Sequence, residues 1–331
     1  MPGFHRLRPS YDLVIVGGGH AGLQAGLKVG LLNHTGLVLG RGPKYSRSFY
    51  APKMDNIPGF PEGISGHKLL DLQTAALKAV EGSVGYLSPA TVVGARRAPE
   101  GFEVDFDWLA QRQVARGRAL VLAMGVIDRI PEVGAEISPI FPWANLGIVD
   151  FCILCDGHEL KGKSVAVLGS DAFAVRTALD LQHFEPASVE LLTLGRSLLA
   201  ESPAEERQEL TGQLARAGIG HFESEMVGFD GLRERRFHVR LADGTVRQYD
   251  RGFSALPWYR MNHEIPHALG ARFDVEGYVV TDEDCRVLAQ EGGEPIPGLY
   301  CVGDQRNGWN QIPEAWATAE RAVIHAYAHY L

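Results

Sequence analysis

The sequence predicts an α/β protein of two doubly wound domains, the second inserted into the first. Three observations carry that prediction. A continuous apolar run, Tyr11–Val16, leads straight into Gly17-Gly-Gly-His-Ala-Gly22 and a helical stretch from Leu23 to Leu32. The same unit recurs in the second half of the chain as Ser164–Leu168, a loop reading Gly169-Ser-Asp-Ala-Phe-Ala174, and a helix from Val175 to His183. Near the end, Gly298-Leu-Tyr-Cys-Val-Gly-Asp304 reads as one more buried strand, closing on an acid.

Each element has a physical reason. An uninterrupted apolar strand such as Tyr11–Val16 suits the centre of a parallel sheet covered on both faces. In the loop after it, Gly17 allows the tight turn, Gly19 lets backbone approach a pyrophosphate, and Gly22 lets the helix pack on the strand. The helix start adds N–H groups and the positive end of a dipole. Strand, Gly-x-Gly-x-x-Gly and helix together are the dinucleotide-binding arrangement of a Rossmann-like domain. The acid that usually receives the adenosine ribose is expected after the second strand, yet Leu37-Val-Leu39 is followed by Gly40-Arg41-Gly42. That contact comes from elsewhere or is absent. Ala119–Gly125 and Gly252–Pro257 read alike, as short strands followed by proline-containing connections, and serve as crossings between domains. The expected boundaries are residues 1–125 and 252–331 for the first domain and 126–251 for the second.

Composition narrows the function class. The chain has 331 residues, 45% hydrophobic and 22% charged, as in ordinary globular proteins. A formal charge of −8 argues against nucleic acid or an anionic membrane as partner, since both reward concentrated Lys and Arg. The first ten residues lack an apolar signal core and no stretch approaches the ~20 apolar residues of a membrane helix, so a cytoplasmic protein is expected. Four cysteines are too few for a disulfide-stapled secreted fold.

Two of the four form Cys152-Ile-Leu-Cys155-Asp156-Gly157. This spacing brings two thiols within disulfide reach and lowers the pKa of one, so that the pair can cycle between dithiol and disulfide. Zinc is a rival reading, with His158 as a third ligand, and two inert thiols are another; structural zinc wants four protein ligands. Cys285 and Cys301 read as buried small hydrophobes. His325 and His329 stand at i, i+4 on the last helix, a spacing that can bind metal, but a solvated face is the simpler account. No metal site is expected. Arg233-Glu-Arg-Arg236 is a short basic cluster that solvent or an acidic carrier protein would suit.

In order, Gly17-x-Gly19-x-x-Gly22, Asn56-Ile-Pro-Gly-Phe60, Ala123-Met-Gly125, Cys152-x-x-Cys-Asp-Gly157, the loop at Gly169, and Gly303-Asp304 followed by Asn310-Gln311 resemble the low-molecular-weight thioredoxin reductases along nearly the whole chain. The resemblance implies a homodimeric flavoprotein with FAD on the first fingerprint, Asp304 on the ribityl chain and the Gln311 backbone near the pyrimidine edge of the flavin. It further implies that Cys155 faces the flavin, Cys152 attacks the partner disulfide, and Asp156 moves the proton. A thioredoxin-like protein or a small disulfide or dithiol is the implied partner.

The pattern breaks in the second domain, where the family holds NADPH. The glycine expected to admit the pyrophosphate is Asp171, whose charge faces a dianion. In place of the basic cluster for the 2′-phosphate after Val189–Leu192 stands Thr193-Leu-Gly-Arg196, and one arginine does not replace several charge-assisted hydrogen bonds. NADPH is therefore not the expected reductant. Ferredoxin-linked and diflavin-linked relatives resemble this chain in lacking those signatures, so ferredoxin, flavodoxin or a second flavin enters as donor. Phe173, Trp258, Tyr259 and Trp316 offer flat surfaces for a second isoalloxazine, and Trp309 a cover for the flavin edge. Three other readings stay open: an NAD(P)H-dependent thioredoxin reductase, a dithiol oxidase that passes electrons to oxygen, and a non-enzymatic flavin redox sensor. The oxidases commonly carry His where this chain has Asp156.

Overall fold

The computed structural model describes residues 7–257 and 260–331, so Trp258 and Tyr259 lie outside the described residues. Contact density divides the chain into two units, one of Met1–Phe49, Gly66–Ile127 and Arg260–Leu331, the other of Tyr50–Ser65 and Asp128–Tyr259.

In the first unit an eight-stranded sheet runs Arg286–Leu288, Pro295–Cys301, Gln111–Leu122, Tyr11–Val16, Gly36–Leu39 and Val84–Leu87, with Ala90–Ala98 and Gly101–Trp108 joined to the long strand Gln111–Leu122. Tyr11–Val16 is central and parallel to both neighbours. Side chains alternate across a strand, so Val14 and Val16 enter one core with Leu37 and Leu120, while Leu13 and Ile15 enter another with Val38 and Val121. The helix His20–Leu31 and the last helix, Ile312–His329, contribute to the second of these cores. The first helix begins at His20, three residues earlier than the apolar periodicity suggests, because Gly19 is extended and caps it.

In the second unit five strands are all parallel, in the order Gly220–Phe222, Ser188–Leu192, Ser164–Leu168, Arg251–Ser254, Val149–Asp150. The helices Ala172–Asp180 and Ala204–Ala217 bury one face, around Val165, Val167, Leu191 and Phe253. The antiparallel meander Met226–Asp230, Phe237–Leu241, Val246–Tyr249 covers the other, together with Trp143. Strand order reverses between Ser164–Leu168 and Arg251–Ser254. Ligands of such sheets gather beyond the carboxyl ends of the strands at that reversal. Three segments of this unit leave the sheet at that edge: the loop at Gly169, the loop at Thr193, and Phe151 leading into Cys152.

The mixed architecture with its parallel sheets agrees with the predicted fold class. Among the described residues no helix is long and apolar enough to cross a membrane.

Candidate functional site

Cys152 and Cys155 are joined as a disulfide. Cys152 is extended and caps the helical turn Ile153–Asp156; the N–H groups of Cys155 and Asp156 donate to its carbonyl at 3.0 and 3.1 Å. The turn thus fixes both sulfurs and the Asp156 backbone in one small loop. Leu154, between the cysteines, is 58% exposed, an apolar side chain offered to solvent beside the sulfurs.

Charge is dense around this turn. Asp156 is pushed up to about 6, first by burial and then by the nearby negative charge of Glu159, with His158 and Arg251 pulling the other way. Asp150 ends the strand before the cysteines. Val149 packs into the meander-side core, so Asp150 projects to the opposite face, which Arg251 and Phe253 of the next strand share. Burial and the charge of Asp156 drive its carboxyl well above the usual range. Arg251 closes on Glu159, while Asp55 takes Lys53 at 2.8 Å and His158 at 3.7 Å. Donor atoms of Asp55, His158 and Glu159 lie within 4.8 Å of one another, the sole grouping of this kind among the described residues. Each carboxylate already has its own cation, and the cysteines are bonded to each other, so the surroundings do not favour zinc.

The first glycine loop forms the dinucleotide turn in the first unit. A Cβ on Gly17 would stand 2.1 Å from the carbonyl oxygen of Ala123, and one on Gly22 would stand 1.9 Å from that of Gly17. Neither position admits a side chain. Gly19 caps the helix with no side-chain hydrogen bond, leaving the first-turn N–H groups without a side-chain acceptor. His20 fills the next position. Its Nδ1 meets Gln73 Oε1 and its Nε2 lies 2.6 Å from Ser48 Oγ, while burial holds its pKa down. Sequence reasoning missed this histidine because the fingerprint leaves that position unspecified.

The returning segment closes on the same turn. Gly303, at φ +66°, packs near Ala21, and its N–H donates to Thr318 Oγ1 at 3.1 Å. Asp304 pairs with Arg47 at 3.2 Å. Gly125 follows Met124, whose carbonyl accepts from Asn262 Nδ2 at 3.5 Å, and Gln305 Nε2 donates to the Asn262 carbonyl at 3.0 Å. Gln311 caps the last helix and Trp316 lies in its second turn, with its ring edge-on to His20. Gln305 Oε1 and Trp316 Nε1 are buried polar atoms without a hydrogen-bond partner among the described residues. A helix start with no side-chain cap, a turn that excludes side chains, and two buried polar atoms fit a flavin dinucleotide. Asn56 belongs to the second unit, with the cysteines and Asp156. Trp309 is largely exposed.

The second glycine loop is built differently. Asp171 caps the helix Ala172–Asp180, its Oδ1 accepting from the Ala174 N–H at 3.0 Å. The carboxylate thus sits where a bound phosphate would take the same N–H. The segment after Ser188–Leu192 folds onto this loop: the Leu199 N–H donates to the Ser170 carbonyl at 2.7 Å, and Glu223 Oε1 accepts from the Leu198 N–H at 2.8 Å. Leu198 and Leu199 are 8% and 1% exposed, in one core with Ala174, Val175 and Ala178. Arg207 holds the Leu199 carbonyl at 3.0 Å. Asp171→Ala is expected to lower stability by about 1 kcal/mol through loss of the cap, read from the thermal midpoint of the variant.

Other expectations resolve simply. Cys285 and Cys301 are buried on opposite sides of the first unit's sheet, and burial pushes the Cys285 thiol up to about 11, which leaves it inert. His325 Nδ1 lies 2.8 Å from the Tyr300 hydroxyl. In the Arg233–Arg236 cluster, Arg235 donates to the Leu146 carbonyl and Arg236 to Asp250, so two of its cations are engaged locally.

Comparison with known proteins follows the same lines. The family model for pyridine nucleotide-disulphide oxidoreductases matches residues 11–321. A thioredoxin reductase of Borreliella burgdorferi is 31% identical over 172 residues, 51% of this chain and 49% of the relative, so the match spans about half its length. A thioredoxin reductase of Aquifex aeolicus is 25% identical over 298 residues, covering 89% of this chain and 85% of the relative. In structure, a thioredoxin reductase of Streptococcus pyogenes superposes with a TM-score of 0.76 at 20% identity, over 96% of this chain and 97% of the other, a likeness of fold.

Proposed function

The chain belongs to the pyridine nucleotide-disulphide oxidoreductase family, and on that premise we propose that it is a thioredoxin reductase-like flavoenzyme. It moves two electrons between FAD and the Cys152–Cys155 pair, and from that pair to a disulfide on a thioredoxin-like protein, with a reductant other than NADPH.

The observation that carries the chemistry is the Cys152–Cys155 disulfide beside an acid held near neutral pH. FAD, when bound to the glycine turn, helix start and Asp304 of the first unit, supplies the two-electron chemistry. The chain's own residues do the rest. In the dithiol, the Cys152 thiolate attacks one sulfur of the substrate disulfide; a Cys152–substrate bond forms, the substrate bond breaks, and the leaving thiolate takes a proton from Asp156. Cys155 then gives its proton back to Asp156 and attacks the Cys152 sulfur, restoring the Cys152–Cys155 bond and releasing the second substrate sulfur as a thiolate, which takes its proton from solvent. An acid near 6 suits both transfers, because it is close to the operating pH in either state.

The choice of donor rests on the second glycine loop. Asp171 takes the N–H a pyrophosphate would need, and Leu198 and Leu199 hold the following loop down on Ser170. These features support a donor that bypasses this site, either a ferredoxin- or flavodoxin-type carrier or a second bound flavin. On anaerobic mixing with excess NADPH, the bound flavin is expected to stay oxidised and yellow while dithionite bleaches it. Rapid bleaching at micromolar NADPH would overturn the reading of this loop. Flavin released by denaturation then narrows the donors: two per chain selects the second flavin, while one leaves a carrier protein, a weakly bound pyridine nucleotide and oxygen as the exchange partners to be separated.

A further inference from the structure

One part of the dinucleotide has no sequence-assigned partner. The adenosine ribose usually meets an acid after the second strand, and Gly40-Arg41-Gly42 stands there instead. That place is nonetheless built. Gly40 lies directly against the dinucleotide turn, since a Cβ on Gly18 would be 3.0 Å from the Gly40 Cα. Ser46 reaches the same turn from the other end, its Oγ 3.7 Å from where a Gly19 Cβ would be. Residues 41–45 are therefore bracketed at both ends by the backbone that approaches the pyrophosphate.

Within the bracket, Gly42 at φ +118° turns the chain into the short helical turn Pro43–Tyr45. The Tyr45 N–H donates to the Gly42 carbonyl at 3.1 Å and the Ser46 N–H to the Pro43 carbonyl at 2.9 Å. This folds Tyr45 back on Arg41, whose guanidinium carbon stands 4.1 Å from the ring centre; Lys44 Nζ lies 5.3 Å from it. Arg41 is exposed and Tyr45 is 53% exposed, so the guanidinium rests on the phenol ring and still presents itself to solvent.

We propose that the Arg41–Tyr45 pair is the adenosine-recognising ledge of the FAD site, using stacking where related folds use a carboxylate. A guanidinium is planar, stacks on aromatic faces, and is weakly hydrated, which suits it to lie against adenine. Its charge also favours the neighbouring pyrophosphate, which a carboxylate would repel. An arginine here can hold a 2′-phosphate in other dinucleotides, but FAD has none, so stacking is the interaction left to it. The pair thereby sets preference for FAD over FMN, which has a phosphate but no adenosine. This inference rests on the flavoprotein reading above.

The test is titration of flavin-free protein with FAD and with FMN, followed by fluorescence, for the wild type, Arg41→Ala and Arg41→Lys. Arg41→Ala should weaken FAD binding about tenfold and FMN binding by clearly less, since FMN loses only the attraction of the charge for its phosphate, and retained FMN binding serves as the control for an intact fold. Arg41→Lys should not restore FAD affinity, because an ammonium does not stack as a guanidinium does. Unchanged FAD affinity in Arg41→Ala, an equal loss on FMN, or full rescue by lysine each overturns the assignment. A wild type that binds neither flavin would sink the flavoprotein reading itself; one that binds FAD no better than Arg41→Ala does would sink this inference alone.

Discussion

Cys152→Ser is expected to abolish disulfide reduction, by on the order of 10³-fold or more, while FAD stays bound. The serine cannot form a thiolate, and the glycine turn, Gly303 and Asp304 lie in a different unit of the chain from Cys152. The companion variant Cys155→Ser separates the roles of the two sulfurs. With Cys155 gone, Cys152 can still attack a substrate disulfide but nothing resolves the adduct, so a mixed disulfide with a thioredoxin-like protein should accumulate, visible as a mass increase equal to the partner. Accumulation in Cys152→Ser, with none in Cys155→Ser, would reverse the assignment of nucleophile and resolving thiol.

What the sequence disclosed and what it hid divide along a physical line. The strand Tyr11–Val16, the turn at Gly17 and the repeat at Ser164–Leu168 were legible because strand apolarity and glycine sterics are local. The acid at Asp171 was legible as a charge in the wrong place, and its part as a helix cap follows from ordinary N-cap chemistry. The closure of the next loop was not legible. It depends on Leu198 and Leu199 entering a core made by Ala174 and Val175, a tertiary contact that no motif encodes. The same holds for the carboxyl of Asp150, whose environment arises only when the strand Val149–Asp150 pairs with Arg251–Ser254. Arg41 was visible only as an absence of the usual acid, and its stacking on Tyr45 needed the turn at Gly42 to be seen. Motifs therefore pointed to the candidate sites, while packing supplied the contacts around each of them.

Asp156→Asn should make the protein more stable and much less active at the same pH. The carboxyl moves from 3.8 to about 6 on folding, chiefly because burial disfavours its charged form. Between those values the native state holds more protons than the unfolded chain, so stability falls as pH rises through that window and the deficit is complete above about 6. At 1.36 kcal/mol per unit, the deficit at neutral pH is on the order of 2–3 kcal/mol. Asparagine carries no charge to bury, so the variant should melt higher than the wild type at pH 7 and the two should converge below pH 4. Turnover should respond in the opposite sense, falling about 10²-fold, because an amide neither gives a proton to the leaving thiolate nor takes one from Cys155. The pH profile identifies the cause: the wild-type rate should show an inflection near 6 that the variant lacks. A variant that is less stable at pH 7, or that keeps the inflection, would mean that another group, such as the buried Asp150, carries the proton. On the proposed mechanism, the same desolvation that costs folding energy brings the acid to where thiol chemistry can use it.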